Sequence, residues 1–407
     1  KMRKVVFIDG VRTPFLKSGT NYMDLMSYQL GQFAIKGLLD RTGIDPNEID
    51  RVILGNVISN VRTENVAREA AVTAGVPVKA TCNTVKQACI SANQAICNAV
   101  DSIQLGRADV IVSGGTENTS DTPIGYTKEM RKKLFAAQKI SKPMDYAKFA
   151  MTLRPADFLP DRPSVTEFIT GRTMGQDCEI LAQKFGVTRE EQDELAAASH
   201  QNAGKAQEAG LLSDIISVQL PPKFAAITKD NGVRGDSTVE KMAKLKPAFA
   251  AGGCVTAGNS SQTSDGAAFV IVMSERMVNE LGLKPIGRLV NCASAGVHPR
   301  IMGIGPVEAV PKVLKQANMN IGDIDLVELN EAFVSQALAV IRQLNLNADI
   351  VNINGGAIAL GHPLGCTGCK LTVQLLGDMK RLNKKYGMVT ACVGGGQGIA
   401  GIIENIA

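Results

Sequence analysis

The sequence predicts an α/β protein built from two similar halves, with a segment of different texture between them. Three observations predict it. Ile49-Asp-Arg-Val-Ile-Leu-Gly-Asn56 resembles Ile324-Asp-Leu-Val-Glu-Leu-Asn-Glu331, about 275 residues further on, and each follows a short acidic stretch that ends a helix. Downstream of each comes a helix and then an apolar strand running into glycines. The composition is that of an ordinary globular chain: 407 residues, 45% hydrophobic and 20% charged, long enough for two or three domains.

The elements follow in order. Val5-Val-Phe-Ile-Asp9 reads as an opening strand with no apolar signal segment before it, so any targeting peptide is expected to lie outside this numbering. Thr81-Cys-Asn-Thr-Val85 is strand-like. Ala92, Ile96, Val100 and Ile103 recur at helical spacing, Gly106 closes that helix, and Asp109 to Gly115 forms a buried strand. In the second half Leu371, Leu375, Met379 and Leu382 mark the helix, and Met388 to Gly396 is the strand with its glycines. Strands alternating with helices imply right-handed crossovers and a mixed or parallel sheet covered on both faces. The expected division is an N-terminal half at 1–124 completed by 262–284, an insertion at 125–261, and a C-terminal half at 285–407.

The insertion is richer in Lys, Arg, Gln and Pro. Between Tyr126 and Pro163 lie Lys128, Arg131, Lys132, Lys133, Lys139, Lys142, Lys148, Arg154 and Arg162 with few acids among them. A solvated helical face, contact with an anionic surface or phosphate, and a dock for a partner subunit all remain open there. Thr188 to Gln207 is expected as a capped helix without chemistry.

Charge and cysteine content exclude several classes of function. A net charge of +5 is too weak to argue for nucleic acid. Nine Cys without dense spacing read as reduced thiols in an intracellular compartment, with the cytosol, the mitochondrial matrix and a bacterial cytoplasm all open. The uncharged stretches at Pro247 to Ser264 and Val351 to Cys369 are too rich in Gly, Ser, Asn and Pro for a transmembrane segment, and none is expected.

Few residues could carry chemistry. Of three His, His200 reads as structural, while His298, in a loop before Pro, fits a surface or a substrate-rim position. His362 lies in Asn354-Gly-Gly-Ala-Ile-Ala-Leu-Gly-His-Pro-Leu-Gly-Cys-Thr-Gly368, which has five Gly and no charge before a helix. Such glycine density suits a backbone that something approaches closely, with a structural turn as the alternative. Cys89 stands at the start of the Ala92 helix, where unpaired N–H groups and the dipole are expected to favour thiolate, although a small core residue would look the same. Cys392 ends the second-half strand just before Gly394 to Gly396, where sites gather in open α/β sheets and backbone N–H donors can face an oxyanion. The other seven Cys lack such settings. Cys366 and Cys369 have no second pair at zinc spacing, and no metal is expected.

Together these pieces resemble the thiolase family over nearly the whole chain. Val5-Val-Phe-Ile-Asp-Gly-Val-Arg-Thr-Pro-Phe15 is similar to the family's opening strand and turn, Ala88-Cys-Ile-Ser-Ala-Asn-Gln-Ala95 to its nucleophile segment, and Val255-Thr-Ala-Gly-Asn-Ser-Ser261 to its pantetheine loop. Asn330-Glu-Ala-Phe333 resembles the water-holding motif, Gly361-His-Pro363 the histidine motif and Cys392-Val-Gly-Gly-Gly396 the second cysteine motif. The resemblance implies duplicated βαβ halves in a layered α/β/α/β/α core with an inserted loop domain. It implies Cys89 as acyl-accepting nucleophile, Cys392 as acid/base, and His362 as the group that activates Cys89 and, with a water on Asn330, binds an enolate oxygen. A second oxyanion hole would come from the N–H groups of Cys89 and Gly394. Ser261 and Ala257 would line the pantetheine channel, Met174 and Phe333 would wall the acyl end, and Gly258 and Asn259 would shape the loop.

The implied activity is that of a 3-ketoacyl-CoA thiolase, an acyltransferase of fatty-acid β-oxidation acting by ping-pong covalent catalysis. CoA serves as substrate and no prosthetic group is implied. An acetoacetyl-CoA thiolase and an inactive thiolase-like scaffold are the alternatives. A decarboxylating synthase would place a second His near position 392. The nucleophile segment and Phe158-Leu-Pro-Asp-Arg-Pro-Ser164 are most similar to the β subunit of the mitochondrial trifunctional enzyme and its bacterial counterparts, which implies a hydratase/dehydrogenase α subunit as partner. That branch usually has His where this chain has Asn330, and Leu344 to Val351 is shorter than its counterpart there. A homodimer or homotetramer is implied for the family, with acyl-CoA and CoA as ligands and no nucleic acid.

Overall fold

The computed structural model describes residues 2–161 and 166–407. Arg162 of the basic run, and Pro163 and Ser164 of the stretch compared with the trifunctional branch, lie outside the described residues. The chain divides into two compact units, Lys1–Asp121 with Thr166–Ala407, and Thr122–Val165.

The first half of the larger unit runs β1 (Val5–Arg12), α1 (Ser27–Thr42), β2 (Arg51–Gly55), α2 (Val66–Thr73), β3 (Thr81–Val85), α3 (Ser91–Gln104) and β4 (Val110–Glu117). Of these, β1, β2, β3, α3 and β4 are predicted from the sequence, and α1 and α2 are not. Apolar residues at helical spacing bury Ala92, Ile96, Val100 and Ile103 on α3, and the fully buried β4 reads as a continuous apolar run. Gly106 follows at φ 72°, in the left-handed region that ends a helix without a Cβ clash.

The smaller unit holds α4 (Lys128–Ala137) and α5 (Pro143–Thr152). Thr127 caps α4 by accepting from the Met130 N–H at 3.3 Å, and Pro143 opens α5. Phe135, Met144, Tyr146 and Met151 are exposed on these helices, and Lys133 pairs with Asp157.

The chain continues in the larger unit with α6 (Met174–Lys184) and α7 (Arg189–Glu208). The expected cap is present: Thr188 and Glu191 exchange hydrogen bonds at the start of α7. Then come β5 (Ser264–Ser274), β6 (Gly287–Gly296), α8 (Gly305–Ala317), β7 (Leu326–Leu329), α9 (Val334–Gln343), α10 (Thr367–Leu382), β8 (Tyr386–Val393) and β9 (Gln397–Asn405).

Strand order makes the duplication explicit: β7-β8-β9-β6-β1-β5-β4-β2-β3. In one half β6 pairs antiparallel with β9, β9 antiparallel with β8, and β8 parallel with β7. In the other, β1 pairs antiparallel with β5, β5 antiparallel with β4, and β4 parallel with β2. The sheet is therefore mixed, and the two halves meet through a single pairing, Phe7 with Gly287.

Three apolar clusters separate the layers. Leu30, Ile35 and Leu38 of α1 with Ala67 and Ala70 of α2 cover one outer face. Ile96 and Val100 of α3 with Leu371 and Leu375 of α10 fill the middle, against strands of both halves. Val310 and Val313 of α8 with Ala337 and Val340 of α9 cover the other outer face. The result is helix, sheet, helix, sheet, helix. Close approach is essential at Gly115: a Cβ there would stand 1.8 Å from the Gly365 carbonyl oxygen. That contact seats the histidine loop on the end of β4.

Candidate active site

The nucleophile segment follows β3. Its turn passes through Ala88 at φ 43°, a region that a residue with a Cβ seldom enters. Ser91 fastens it: its hydroxyl accepts from the Gln87 N–H at 2.8 Å and donates to the Ala88 carbonyl at 2.7 Å. Cys89 emerges buried, with the backbone N–H of Gly394 and its own N–H directed at the sulfur.

The expected effect of the helix start on Cys89 is overturned. Helix α3 begins two residues later, and burial pushes the thiol up to about 11, more than the N–H groups of Gly394 and Cys89 pull it down. Glu117 and Glu167 add to the rise. Burial therefore favours the thiol form of Cys89.

Cys392 stands at the end of β8, 1% exposed. Burial raises its thiol well above the ordinary value, and the nearby sulfurs of Cys89 and Cys178 raise it further. Cys392 packs with Cys178, Val255, Met302 and Ala332, and with the half-buried Met174 and Phe333. Phe333 meets Phe249 edge to face, the ring centroids 5.9 Å apart.

His362 follows Gly361, whose φ of 100° turns the chain into the site. The imidazole is buried, and burial holds it down at about 4, so it is neutral at pH 7. Its Nδ1 lies 2.6 Å from the Thr367 hydroxyl, which donates to the Pro363 carbonyl at 2.9 Å. On the other side the Asn330 Nδ2 faces Nε2 at 3.4 Å. Both neighbours select the tautomer with the proton on Nδ1, leaving Nε2 as the basic nitrogen. Asn330 follows β7 and is fixed by its N–H to the Thr390 carbonyl at 3.0 Å, while its Oδ1 is buried without a partner among the described residues.

Ser261 N–H donates to the Ala332 carbonyl at 3.0 Å and Val334 N–H to the Asn259 carbonyl at 2.9 Å, so the 255–261 loop lies against the Asn330 motif. Asn259 is buried and holds that loop, accepting from Thr256 N–H at 2.7 Å and donating to the Cys254 carbonyl at 3.1 Å. Ala257 is exposed and Ser261 half-buried. Met174 opens α6, and its sulfur would lie 3.4 Å from a Cβ on Gly394. His200 is buried, with Nδ1 accepting from the Arg234 N–H at 3.2 Å, whereas the exposed His298 caps the 3-10 turn Pro299–Ile304.

Several residues of this neighbourhood escape the sequence reading. Thr367 has no motif of its own, because its role depends on a turn of helix bringing it back over His362. Glu117 ends β4 and accepts from Asn56 Nδ2 and from the N–H groups of Val57, Ile58 and Gly365, at 2.9 to 3.2 Å. It thus ties the histidine loop to the loop after β2. Glu331 does the same for the 352–358 turn, accepting from Ser199, Asn352 and the Ile358 N–H. Only the preceding Asn330 pointed toward it.

Two buried thiols near one another with N–H donors beside one of them, and a buried neutral imidazole against Asn330, are groups suited to covalent acyl transfer. The family models for the thiolase N-terminal and C-terminal domains match residues 5–276 and 283–405, and the chain belongs to the thiolase family. It is thus an acyltransferase with the expected duplicated fold. Mitochondrial trifunctional enzyme subunit beta of Homo sapiens is 42% identical over 422 residues, covering 99% of this chain and 89% of that protein. The crystal structure of the Bacillus anthracis acetyl-CoA acetyltransferase matches with a TM-score of 0.89 at 38% identity, covering 100% of this chain and 99% of that one. That of human mitochondrial 3-ketoacyl-CoA thiolase in complex with CoA matches with 0.89 at 35% identity, covering 100% and 98%. Among the described residues no cluster of three or more His, Cys, Asp or Glu could hold a metal, and no helix is long and apolar enough to cross a membrane.

Proposed function

We propose that this chain is a 3-ketoacyl-CoA thiolase of fatty-acid oxidation, which cleaves 3-ketoacyl-CoA with CoA to acetyl-CoA and a shortened acyl-CoA. The observation that carries the reading is that the buried Cys89 and Cys392 sulfurs lie near one another beside the Gly394 N–H, while the buried His362 faces Asn330, whose N–H is bound to Thr390 on the strand that carries Cys392.

In this reading His362 Nε2 takes the proton of Cys89 as the sulfur attacks the 3-keto carbon. The bond between carbons 2 and 3 breaks, and its electron pair passes into the enolate of acetyl-CoA. The new Nε2–H, together with a water held by Asn330, donates to the enolate oxygen. Cys392 gives its proton to carbon 2, and acetyl-CoA leaves. The Cys392 thiolate then deprotonates the incoming CoA thiol, which attacks the acyl-Cys89 thioester. The N–H groups of Cys89 and Gly394 hold the tetrahedral oxyanion. Cys89 departs as thiolate and recovers its proton from His362, so every proton is restored. Burial favours the neutral form of both Cys89 and His362, so the proton passes to Nε2 only as the sulfur attacks.

Ser261 and Ala257 border the pantetheine, and Met174 and Phe333 wall the acyl end. The division at 1–124 with 262–284, 125–261 and 285–407 is supported by β5, which lies between β1 and β4 within the first half. The likeness to a trifunctional enzyme subunit beta supports an α subunit as partner, which this reading takes to be a hydratase/dehydrogenase, and the reading gives the chain itself a homodimer or homotetramer. Relatives named as mitochondrial and bacterial support the mitochondrial matrix or a bacterial cytoplasm as its compartment. The likeness to an acetyl-CoA acetyltransferase favours acetoacetyl-CoA thiolase as the second reading.

A series of 3-ketoacyl-CoA substrates of increasing chain length, followed by loss of their absorbance, tests both. Rising kcat/KM with length supports the first reading, and a sharp preference for acetoacetyl-CoA supports the second. No thiolysis at any length leaves the inactive scaffold.

A further inference from the structure

The turn that carries the Gly394 N–H has no side chain of its own to hold it. Gly395 and Gly396 stand at φ 85° and 88°, where glycine is soft unless its surroundings fix it. Within the turn Gly396 N–H donates to the Val393 carbonyl at 3.2 Å. From outside, Val297 N–H donates to the Gly396 carbonyl at 2.7 Å, and the Gly395 N–H is taken by Glu167 Oε1 at 2.5 Å.

Glu167 is itself firmly placed. Thr166 bridges Thr173, Glu167 N–H donates to the Arg172 carbonyl at 2.9 Å, and Gly171 N–H returns to the Glu167 carbonyl at 2.8 Å. Arg172 pairs with Asp177 in the first turn of α6 at 2.9 Å, which ties this small hairpin to a helix. Glu167 Oε1 would stand 3.0 Å from a Cβ on Gly394, so the carboxylate lies against the residue whose N–H reaches Cys89. The other oxygen, Oε2, is buried with no partner among the described residues. Burial raises this carboxyl above the usual range, and Asp177 adds to the rise despite the Gly395 N–H. Glu117 from β4, Glu167 from the hairpin and Cys392 from β8 are the charged and titratable groups near enough to act electrostatically with Cys89.

We propose that Glu167 is a positioning residue of the acyl-transfer site: it fastens the Gly394 to Gly396 turn so that the Gly394 N–H faces the Cys89 sulfur, and it holds an anion beside that sulfur. The first role aims the oxyanion donor. The second disfavours a free Cys89 thiolate, which keeps the thiol protonated until it attacks. The catalytic consequence rests on the thiolase reading of Cys89 and Gly394, whereas the electrostatic one does not.

Two substitutions in the full chain separate these roles. Glu167→Gln keeps an oxygen for the Gly395 N–H and removes the charge, and Glu167→Ala removes both. The probe is iodoacetamide, with alkylation of Cys89 followed by mass spectrometry from pH 6 to 10 in the absence of any CoA ester. With Gln, alkylation at a given pH speeds up about threefold or more, because the charge is gone while the Gly395 N–H keeps an acceptor. With Ala, kcat falls about tenfold or more while KM changes little, as for a donor that matters only in the transition state. A Gln variant whose alkylation profile overlays the parent's overturns the electrostatic role, and an Ala variant with parental kcat overturns the positioning role. If the parent itself shows no thiolysis, the thiolase reading has failed, and the alkylation profiles alone then decide whether Glu167 acts on Cys89.

Discussion

Thr367→Val tests the proposed site at its least obvious member. The substitution keeps the shape of the side chain and replaces the hydroxyl, 2.6 Å from His362 Nδ1, with a methyl group. The Pro363 carbonyl still accepts from the N–H groups of Cys366 and Thr367, each at 3.0 Å, so the loss falls on the imidazole. A buried N–H left without its acceptor costs roughly 1–3 kcal/mol. The ring can recover part of this by moving its proton to Nε2, but that tautomer has lost the lone pair that takes the Cys89 proton. At about 1.4 kcal/mol per decade, kcat/KM should fall between roughly 5-fold and 150-fold. Thr367→Ser, which returns the hydroxyl, should restore most of the rate. The assay is thiolysis of a 3-ketoacyl-CoA with CoA, alongside thermal unfolding to show that each variant is folded. A folded Val variant with the parental kcat/KM refutes the tautomer argument.

Three further outcomes follow from the same geometry. Cys89→Ala should abolish formation of an acyl-enzyme detectable by mass spectrometry, whereas Cys392→Ala should still label Cys89 slowly without turnover; equal labelling in the two variants contradicts their assigned roles. Arg12 is buried between Asp230, which it meets at 2.7 and 2.8 Å, and Asp214 at 2.9 Å, so Asp230→Asn should cost about 3–5 kcal/mol in urea unfolding, and a loss below about 1 kcal/mol would contradict a paired buried charge. His362 is held at about 4 from an ordinary 6.5, so its contribution is complete above pH 6.5 and falls as the pH drops toward 4, because the unfolded chain takes up the proton first. The loss amounts to about 3 kcal/mol. His362→Asn should therefore show a shallower fall in unfolding free energy between pH 6.5 and 4 than the parent, and parallel curves would refute the burial argument.

Much of the fold is legible along the chain because it depends on local periodicity. Ala92, Ile96, Val100 and Ile103 announce α3, and the uncharged run before Gly114 announces β4. The similarity between Ile49 to Asn56 and Ile324 to Glu331 announces the duplication that the strand order displays. His362 and Cys392 stand out because each lies at a glycine-rich end of an element, and Cys89 because it stands just before a helix. The chemical state of Cys89 is not legible in that way. A helix start suggests a lowered thiol, but 4% exposure reverses the sign, and burial is a property of the packed molecule.

Residue types and their local spacing thus determined the elements, the two-fold pattern and the identity of the reactive side chains. Only the tertiary structure decided their partners. Gly365 meets Gly115 and Glu117 across about 250 residues of chain, Thr367 turns back onto His362 within one helical turn, and Glu167 reaches the Gly394 to Gly396 turn from a separate hairpin. Hydrogen bonds and desolvation act over a few ångströms in space, so no pattern in linear order could reveal which carboxylate or hydroxyl would arrive there.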